Sequence, residues 1–274
     1  MPELPEVETV AQDLRAAVVG RRIESIELSR ADVLRMPPAD VFAKVVAGQS
    51  VISVDRRGKF ILLGMDGGDE LMVHLGMTGH LLVCDGDSSP ARHTHMRARL
   101  DDGRELRFDD TRRFGRVAYG SRALLEESRV LPPLGIEPLS DEFTAAELRR
   151  ILHRSTRTVK AALLDQARVA GLGNIYIDEA CFAAGVRPTR RCHRLTRAQI
   201  EALHEAIQRT LRRAIVNRGS SVDDYRDVWN AQGNHQEALQ VYGRGGQPCF
   251  RCGTMLRRAV VGGRTTVHCP HCQH

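Results

Sequence analysis

Near its C-terminus the chain carries Cys249-x2-Cys252-x16-Cys269-x2-Cys272. Two Cys-x2-Cys knuckles at this spacing match a tetrahedral four-thiolate zinc site, and nothing else in the sequence restricts the local fold so tightly. A site closed by four cysteines leaves no open coordination position, so the metal implied is one structural Zn2+. Between the knuckles, Met255–Val261 and Arg264–Val267 flank Gly262-Gly263, the pattern of a β-hairpin with a glycine turn. Residues 241–274 hold five arginines and no acidic residue. Arg264 falls just past the turn, where a hairpin tip can deliver a guanidinium to a phosphate. The chain has seven cysteines and no charged-then-apolar leader at its start, which argues against a disulfide framework. Cys84, Cys181 and Cys192 are scattered and read as packing or surface residues.

The chain has 274 residues, enough for two or three domains with a real core. Its net charge of +6 points towards a polyanionic partner. Aromatic residues make up only 4%, which argues against general single-strand binding by base stacking. No apolar run is long enough for a transmembrane helix, no membrane partner is implied, and a cytoplasmic location is expected. Of the forty basic residues, all but Lys44, Lys59 and Lys160 are arginine. Lysine can lose its proton where arginine effectively cannot, so these three are candidates for chemistry or for a compact contact.

Periodicity divides the chain into three parts. Val7, Val10, Leu14 and Val18 form a helical stripe over residues 5–19, with Pro5 in the first turn and Gly20 at the exit. From 22 to about 120 short strands alternate with turns: 23–28, 51–54, 60–63, 71–75, 97–100 and 106–108, with hairpin signals at Gly67-Gly68 and Asp101-Asp102-Gly103. Leu131–Leu139 reads as a linker, and residues 141–217 as helices. Residues 217–240 are polar and irregular, long for a structureless connection and therefore of functional interest. The fold class expected is α+β and multidomain. A β-sandwich with a flanking helix spans 1–134. A helical domain spans 135–240, with a functional loop near 217–240, and a zinc-ribbon hairpin spans 241–274.

The chain starts Met1-Pro2-Glu3-Leu4-Pro5-Glu6-Val7. With Met1 removed, Pro2 becomes a secondary amine. An α-amino group titrates near ~8, so part of it is an uncharged nucleophile at neutral pH. Such an amine attacking a sugar carbon forms an iminium ion, an electron sink, and Glu3 beside it is placed to move protons.

The opening MPELPEVETV resembles the start of bacterial formamidopyrimidine-DNA glycosylases, of the formamidopyrimidine-DNA glycosylase / endonuclease VIII family. Further stretches resemble the family in order along the chain: Arg56–Phe60, His74–Gly79, Asp109–Arg116, Val159–Gln166, Ala170–Glu179 and the zinc ribbon. Val159–Gln166 together with Ala170–Glu179 resembles its helix–two-turns–helix DNA-binding element. The resemblance implies a bifunctional glycosylase/AP lyase of base excision repair that excises oxidised purines from double-stranded DNA; the sequence shows no spare apolar surface pattern, and a monomer is expected. In that reading Pro2 is the nucleophile and Glu3 its acid/base partner. Lys59 assists β-elimination and Arg264 δ-elimination. Met77, Arg112 and Phe114 fill the gap left by a flipped nucleotide, an arrangement consistent with the need to take a base out of the stack. Lys160 and Asn174 hold flanking phosphates. His74, His93, Ser220 and Tyr242 complete the implied DNA contacts, and Cys249, Cys252, Cys269 and Cys272 hold zinc.

Two positions depart from the family pattern. Ser155 stands where a basic residue is usual, and Arg218 where a second glycine is common, in a loop that also adds Asp223 and Asp224. Lesion preference is accordingly more open than reaction type. The rival readings are an endonuclease VIII-like enzyme for oxidised pyrimidines and a non-catalytic DNA-damage binder.

Overall fold

Helix α1 spans Leu4–Val18 and buries its apolar stripe completely: Leu4, Val7, Val10, Leu14 and Val18 expose no surface. Each such side chain stabilises the fold by about 1.5–3 kcal/mol. Gly20, at φ 82, turns the chain out of the helix in a conformation that only glycine adopts freely. The computed structural model describes residues 1–274, which fall into two units: Met1–Pro133 with Asn217–Asn234, and Leu134–Val216 with His235–His274.

In the first unit α1 is followed by β1 (Ile23–Leu28), α2 (Ala39–Val46), β2 (Val51–Arg57), β3 (Phe60–Met65), β4 (Glu70–His74), β5 (Gly79–Asp85), β6 (Thr94–Leu100), β7 (Arg104–Asp110), β8 (Arg116–Gly120) and α3 (Arg122–Glu127). The strands make two four-stranded sheets, ordered β1-β6-β7-β5 and β2-β3-β4-β8, with every pairing antiparallel. They form the expected β-sandwich, and one core joins α1 to residues of both sheets, among them Ile23, Leu63, Leu71, Met96, Phe108 and Val117. The two glycine-bearing turns fall where the sequence put them, between β3 and β4 and between β6 and β7.

The second unit contains α4 (Ala145–His153), α5 (Val159–Leu163), α6 (Asn174–Ala183), α7 (Arg197–Val216), β9 (Arg257–Val261) and β10 (Arg264–His268). Helix α7 packs on α4 and α6, and β10 packs on α6. Val261 pairs with Arg264 across Gly262-Gly263, so the hairpin turn is the one read from the sequence.

One boundary differs from expectation. Asn217–Asn234 belongs with the sandwich, not with the helical domain. The cause is a set of bonds to partners far away in sequence. Ser220 N donates to Glu6 Oε1, Arg218 pairs with Asp13, Val83 N donates to Val228 O, and Tyr225 and Val228 enter the sandwich core.

Candidate functional site

Pro2 and Glu3 are buried at the start of α1, with Glu3 only 3% exposed. Glu3 is the N-cap and forms a reciprocal capping box with Glu6. Glu6 does more than cap. Its Oε2 accepts Glu3 N at 2.8 Å, and its Oε1 accepts Ser220 N at 2.8 Å. One buried carboxylate thus fixes both the backbone beside Pro2 and the 217–234 loop. The Glu3-x-x-Glu6 spacing is the sequence signal for this role, which the reading above passed over.

Met77, Arg112 and Phe114 sit on two loops that touch. Asp110, fully buried at the end of β7, accepts from Thr78 Oγ1 at 2.6 Å, Arg112 N at 3.1 Å and Gly115 N at 2.7 Å. It therefore ties the loop carrying Met77 to the loop carrying Arg112 and Phe114. Gly76, at φ 64, lets the loops touch: a Cβ there would lie 2.5 Å from Gly115 N. Arg112 covers the Phe114 ring at 4.7 Å, and Phe114 stays 46% exposed. An aromatic ring presented to solvent on a pinned loop is placed for an external ligand rather than for the core. Met77 is half-buried, and His93, also half-buried, accepts Asp110 N through its carbonyl at 3.0 Å.

His74 ends β4, paired with Phe60 of β3, and Lys59, in the turn just before β3, is buried. His74 stacks on Phe60 at 4.7 Å, and its Nδ1 accepts Gly76 N at 3.2 Å, which requires an unprotonated nitrogen. Burial, with the charges of Lys59 and Arg116, lowers its pKa to about 4. In the second unit burial and Arg213 lower His235 to about 4 as well. An unfolded histidine protonates near 6.5, so this stabilisation is complete above about pH 6.5 and is lost as pH falls towards 4. Each histidine contributes on the order of 1–3 kcal/mol to that loss. Urea midpoints taken at pH 7, 6 and 5 are expected to fall, and to fall less in His74→Gln. A flat series in the parent protein counts against this account.

In the second unit Gln166 braces the glycine turn. Its Nε2 donates to Leu172 O at 2.7 Å and its Oε1 accepts Gly171 N at 2.9 Å. Asn174 follows at the first position of α6. Lys160 departs from expectation. It is 0% exposed, and its Nζ donates to Asp178 Oδ1 at 2.7 Å and to Thr265 O at 3.2 Å. An ammonium enclosed in this way is not presented to a phosphate. It secures β10 to α6 together with Asp178 Oδ2, which accepts Val267 N at 3.0 Å. The neighbouring Glu179 accepts the amides of Gln240, Val241 and Tyr242, each at 2.9 Å, so α6 also fixes Tyr242. Two acids within an otherwise apolar helix were the sequence signal for these buried contacts. Lys160→Met is expected to lower stability by about 3–5 kcal/mol, because it strands the Asp178 carboxylate. Adding Asp178→Asn, which keeps an acceptor for Val267 N, should recover much of that in thermal unfolding. Ser155, the other departure, is buried and its Oγ accepts Arg157 N at 3.2 Å, which closes a local turn.

Ser220 is buried. Arg264 opens β10 as an exposed residue at the hairpin tip. The Sγ atoms of Cys249, Cys252, Cys269 and Cys272 lie within 4.8 Å of one another. Cys249 Sγ accepts Arg251 N at 3.4 Å and Cys269 Sγ accepts Cys272 N at 3.3 Å. Amide-to-sulfur bonds of this kind stabilise thiolates, so the donor set fits one structural zinc.

Three family models match the chain. "Formamidopyrimidine-DNA glycosylase N-terminal domain" covers residues 1–117, "Formamidopyrimidine-DNA glycosylase H2TH domain" 134–226, and "Zinc finger found in FPG and IleRS" 246–274. The chain belongs to the formamidopyrimidine-DNA glycosylase family. A formamidopyrimidine-DNA glycosylase of Chloroflexus aggregans is 47% identical over 100% of this chain and 98% of its own length. The structure of the MutM (FPG) protein of Thermus thermophilus is similar with a TM-score of 0.89 at 40% identity, covering 99% of this chain and 98% of that one. A Lactococcus lactis FPG mutant in complex with Fapy-dG-containing DNA is similar with a TM-score of 0.92 at 34% identity, over 100% of both chains. Formamidopyrimidine-DNA glycosylases are DNA-repair glycosylases with lyase activity, and this member carries the family's sandwich, helical and zinc-finger parts. No helix is long and apolar enough to cross a membrane.

Proposed function

We propose that this member of the family excises oxidised purines (8-oxoguanine and formamidopyrimidines) from duplex DNA and then cleaves the strand, acting as a monomer on cytoplasmic, nucleoid-associated DNA. The observation that carries the reading is the Pro2-Glu3 pair at the buried start of α1, tied through Glu6 to the 217–234 loop. With Met1 removed, the Pro2 nitrogen attacks C1′ as the C1′–base bond breaks. Glu3 moves the protons that open the sugar ring to an iminium ion. The iminium acidifies C2′–H, and proton loss there expels the 3′ phosphate with help from Lys59. A second proton loss, at C4′, expels the 5′ phosphate with help from Arg264. The product is a one-nucleoside gap with phosphate ends.

Met77, Arg112 and Phe114 occupy the space left by the flipped nucleotide. His74, His93, Asn174 and Tyr242 contact the DNA backbone, and Ser220 belongs to the loop that reads the lesion. Lys160 is omitted from the phosphate contacts because its charge is enclosed. The test is borohydride trapping on a duplex with 8-oxoguanine opposite cytosine, after mass spectrometry has established that Met1 is absent. An adduct mapping to Pro2 is expected. An adduct only with thymine glycol moves the substrate to oxidised pyrimidines, and binding with no adduct on any lesion or abasic duplex makes the protein a damage binder.

A further inference from the structure

The 217–234 loop closes on itself, with Asn234 N donating to Asn217 O at 2.9 Å. Its interior hangs on one buried carboxylate: Asp227 Oδ1 accepts Trp229 N at 3.0 Å and Ala231 N at 2.8 Å. The other oxygen of Asp227 is taken by Arg218 Nη2, which also donates to Asp13 Oδ2 on α1, while Arg218 Nη1 donates to Asp13 Oδ1 at 3.1 Å. Arg218 is therefore the node between the loop's internal scaffold and the helix that begins at the candidate nucleophile. It holds this place at φ 59, a left-handed conformation that is strained for a non-glycine residue. Such strain persists only where the surroundings over-determine it. The two carboxylates, Asp13 foremost, also hold the guanidinium more firmly protonated than usual. Beyond this node, Trp229 is 53% exposed, and Tyr225 is buried with its hydroxyl donating to Glu6 O at 3.4 Å.

We infer that the Asp13–Arg218–Asp227 triad is a specificity determinant, holding the 217–234 loop formed over the start of α1 before DNA arrives. This rests on the reading above that the loop reads the lesion base. A loop ordered in advance spares the base-excision step the fraction of enzyme that would otherwise wait in an incompetent state. Cleavage at an abasic site offers no base to read and does not draw on that order. Arg218 is thus a positioning residue, acting through the loop.

The experiment compares the full-length zinc-loaded protein with Arg218→Gly, in which glycine accepts the same φ, and with Asp13→Asn. Two readouts are taken: amide exchange of residues 218–233 without DNA, and kcat/KM on an 8-oxoguanine duplex against an abasic duplex. In both variants loop exchange is expected to accelerate about tenfold or more, and excision to fall about tenfold while abasic cleavage stays within about twofold. Unchanged loop exchange in both variants overturns the inference, as does an equal fall on the two duplexes. If the parent enzyme cleaves the abasic duplex but leaves 8-oxoguanine, the oxidised-purine assignment has failed on its own. The same split is then read on thymine glycol, and loop exchange still judges the triad.

Discussion

Glu3→Gln is expected to slow base excision by about 10²–10⁴-fold, the range that a positioned proton donor or acceptor supplies. Glutamine is the informative replacement because it changes the chemistry and little else. Glu3 is the N-cap of α1 within a capping box, and a glutamine amide keeps the oxygen that such a cap uses. It keeps the volume of a side chain only 3% exposed, and it leaves Glu3 N free to donate to Glu6 Oε2 as before. It cannot exchange a proton with a developing sugar hydroxyl. Unfolding midpoints and DNA affinity should therefore stay near those of the parent while single-turnover excision collapses. Excision within about threefold of the parent removes Glu3 from the proton path. That leaves Lys59, buried in the turn between β2 and β3, as the next candidate.

Stripping the metal is expected to have an effect of comparable size on structure instead of rate. In zinc-finger peptides metal binding supplies on the order of 10–16 kcal/mol, far more than a hairpin of two five-residue strands gains by itself. The ribbon core is small, formed by Val241, Leu256, Val267, Cys249 and Cys269 with Phe182 of α6. Treatment with a strong chelator, or Cys249→Ser with Cys252→Ser, should abolish amide protection across 246–274. The thermal transition of the sandwich should change little. The clamps from Asp178 to Val267 N and from Glu179 to Tyr242 N will then lose their partners, so faster exchange in α6 is expected as a second signature. Full protection of β9 and β10 after verified metal removal argues against a folding role for zinc.

Much of the architecture was legible because it depends on local chemistry. The cysteine spacing and Gly262-Gly263 placed the hairpin, since Val261 and Arg264 are the residues the turn must join. The stripe Val7, Val10, Leu14, Val18 gave α1 to within a residue at each end. Helix α2 was missed because Val41–Val46 is a short apolar run that suits strand or helix equally, and β5 and β8 were absorbed into motif readings. The site divided along the same line. The four cysteines declare themselves by type and spacing, whereas Phe114 was legible only through the family resemblance. Burial of Lys160 does not declare itself, because its partners Asp178 and Thr265 lie 18 and 105 residues away. The partners of Glu6 and Arg218 escaped for the same reason, being more than 200 residues distant. Long-range pairing of polar groups has no periodicity, so the residues that position a site are harder to read than those that form its surface.

The discontinuity of the first unit bears on how the protein is made. Residues 1–133 emerge from the ribosome early, yet Asn217–Asn234 supplies Tyr225 and Val228 to their core and an amide to Glu6. At roughly 5–20 residues per second, translation leaves the sandwich without this segment for about 5–20 s. Throughout that interval Glu6 and Asp13 lack their loop partners, while helices α4 to α7 are synthesised in between. The start of the chain is thus completed by one of the last pieces to be synthesised. A nascent protein holds its N-terminus open to processing before the loop arrives to close over it.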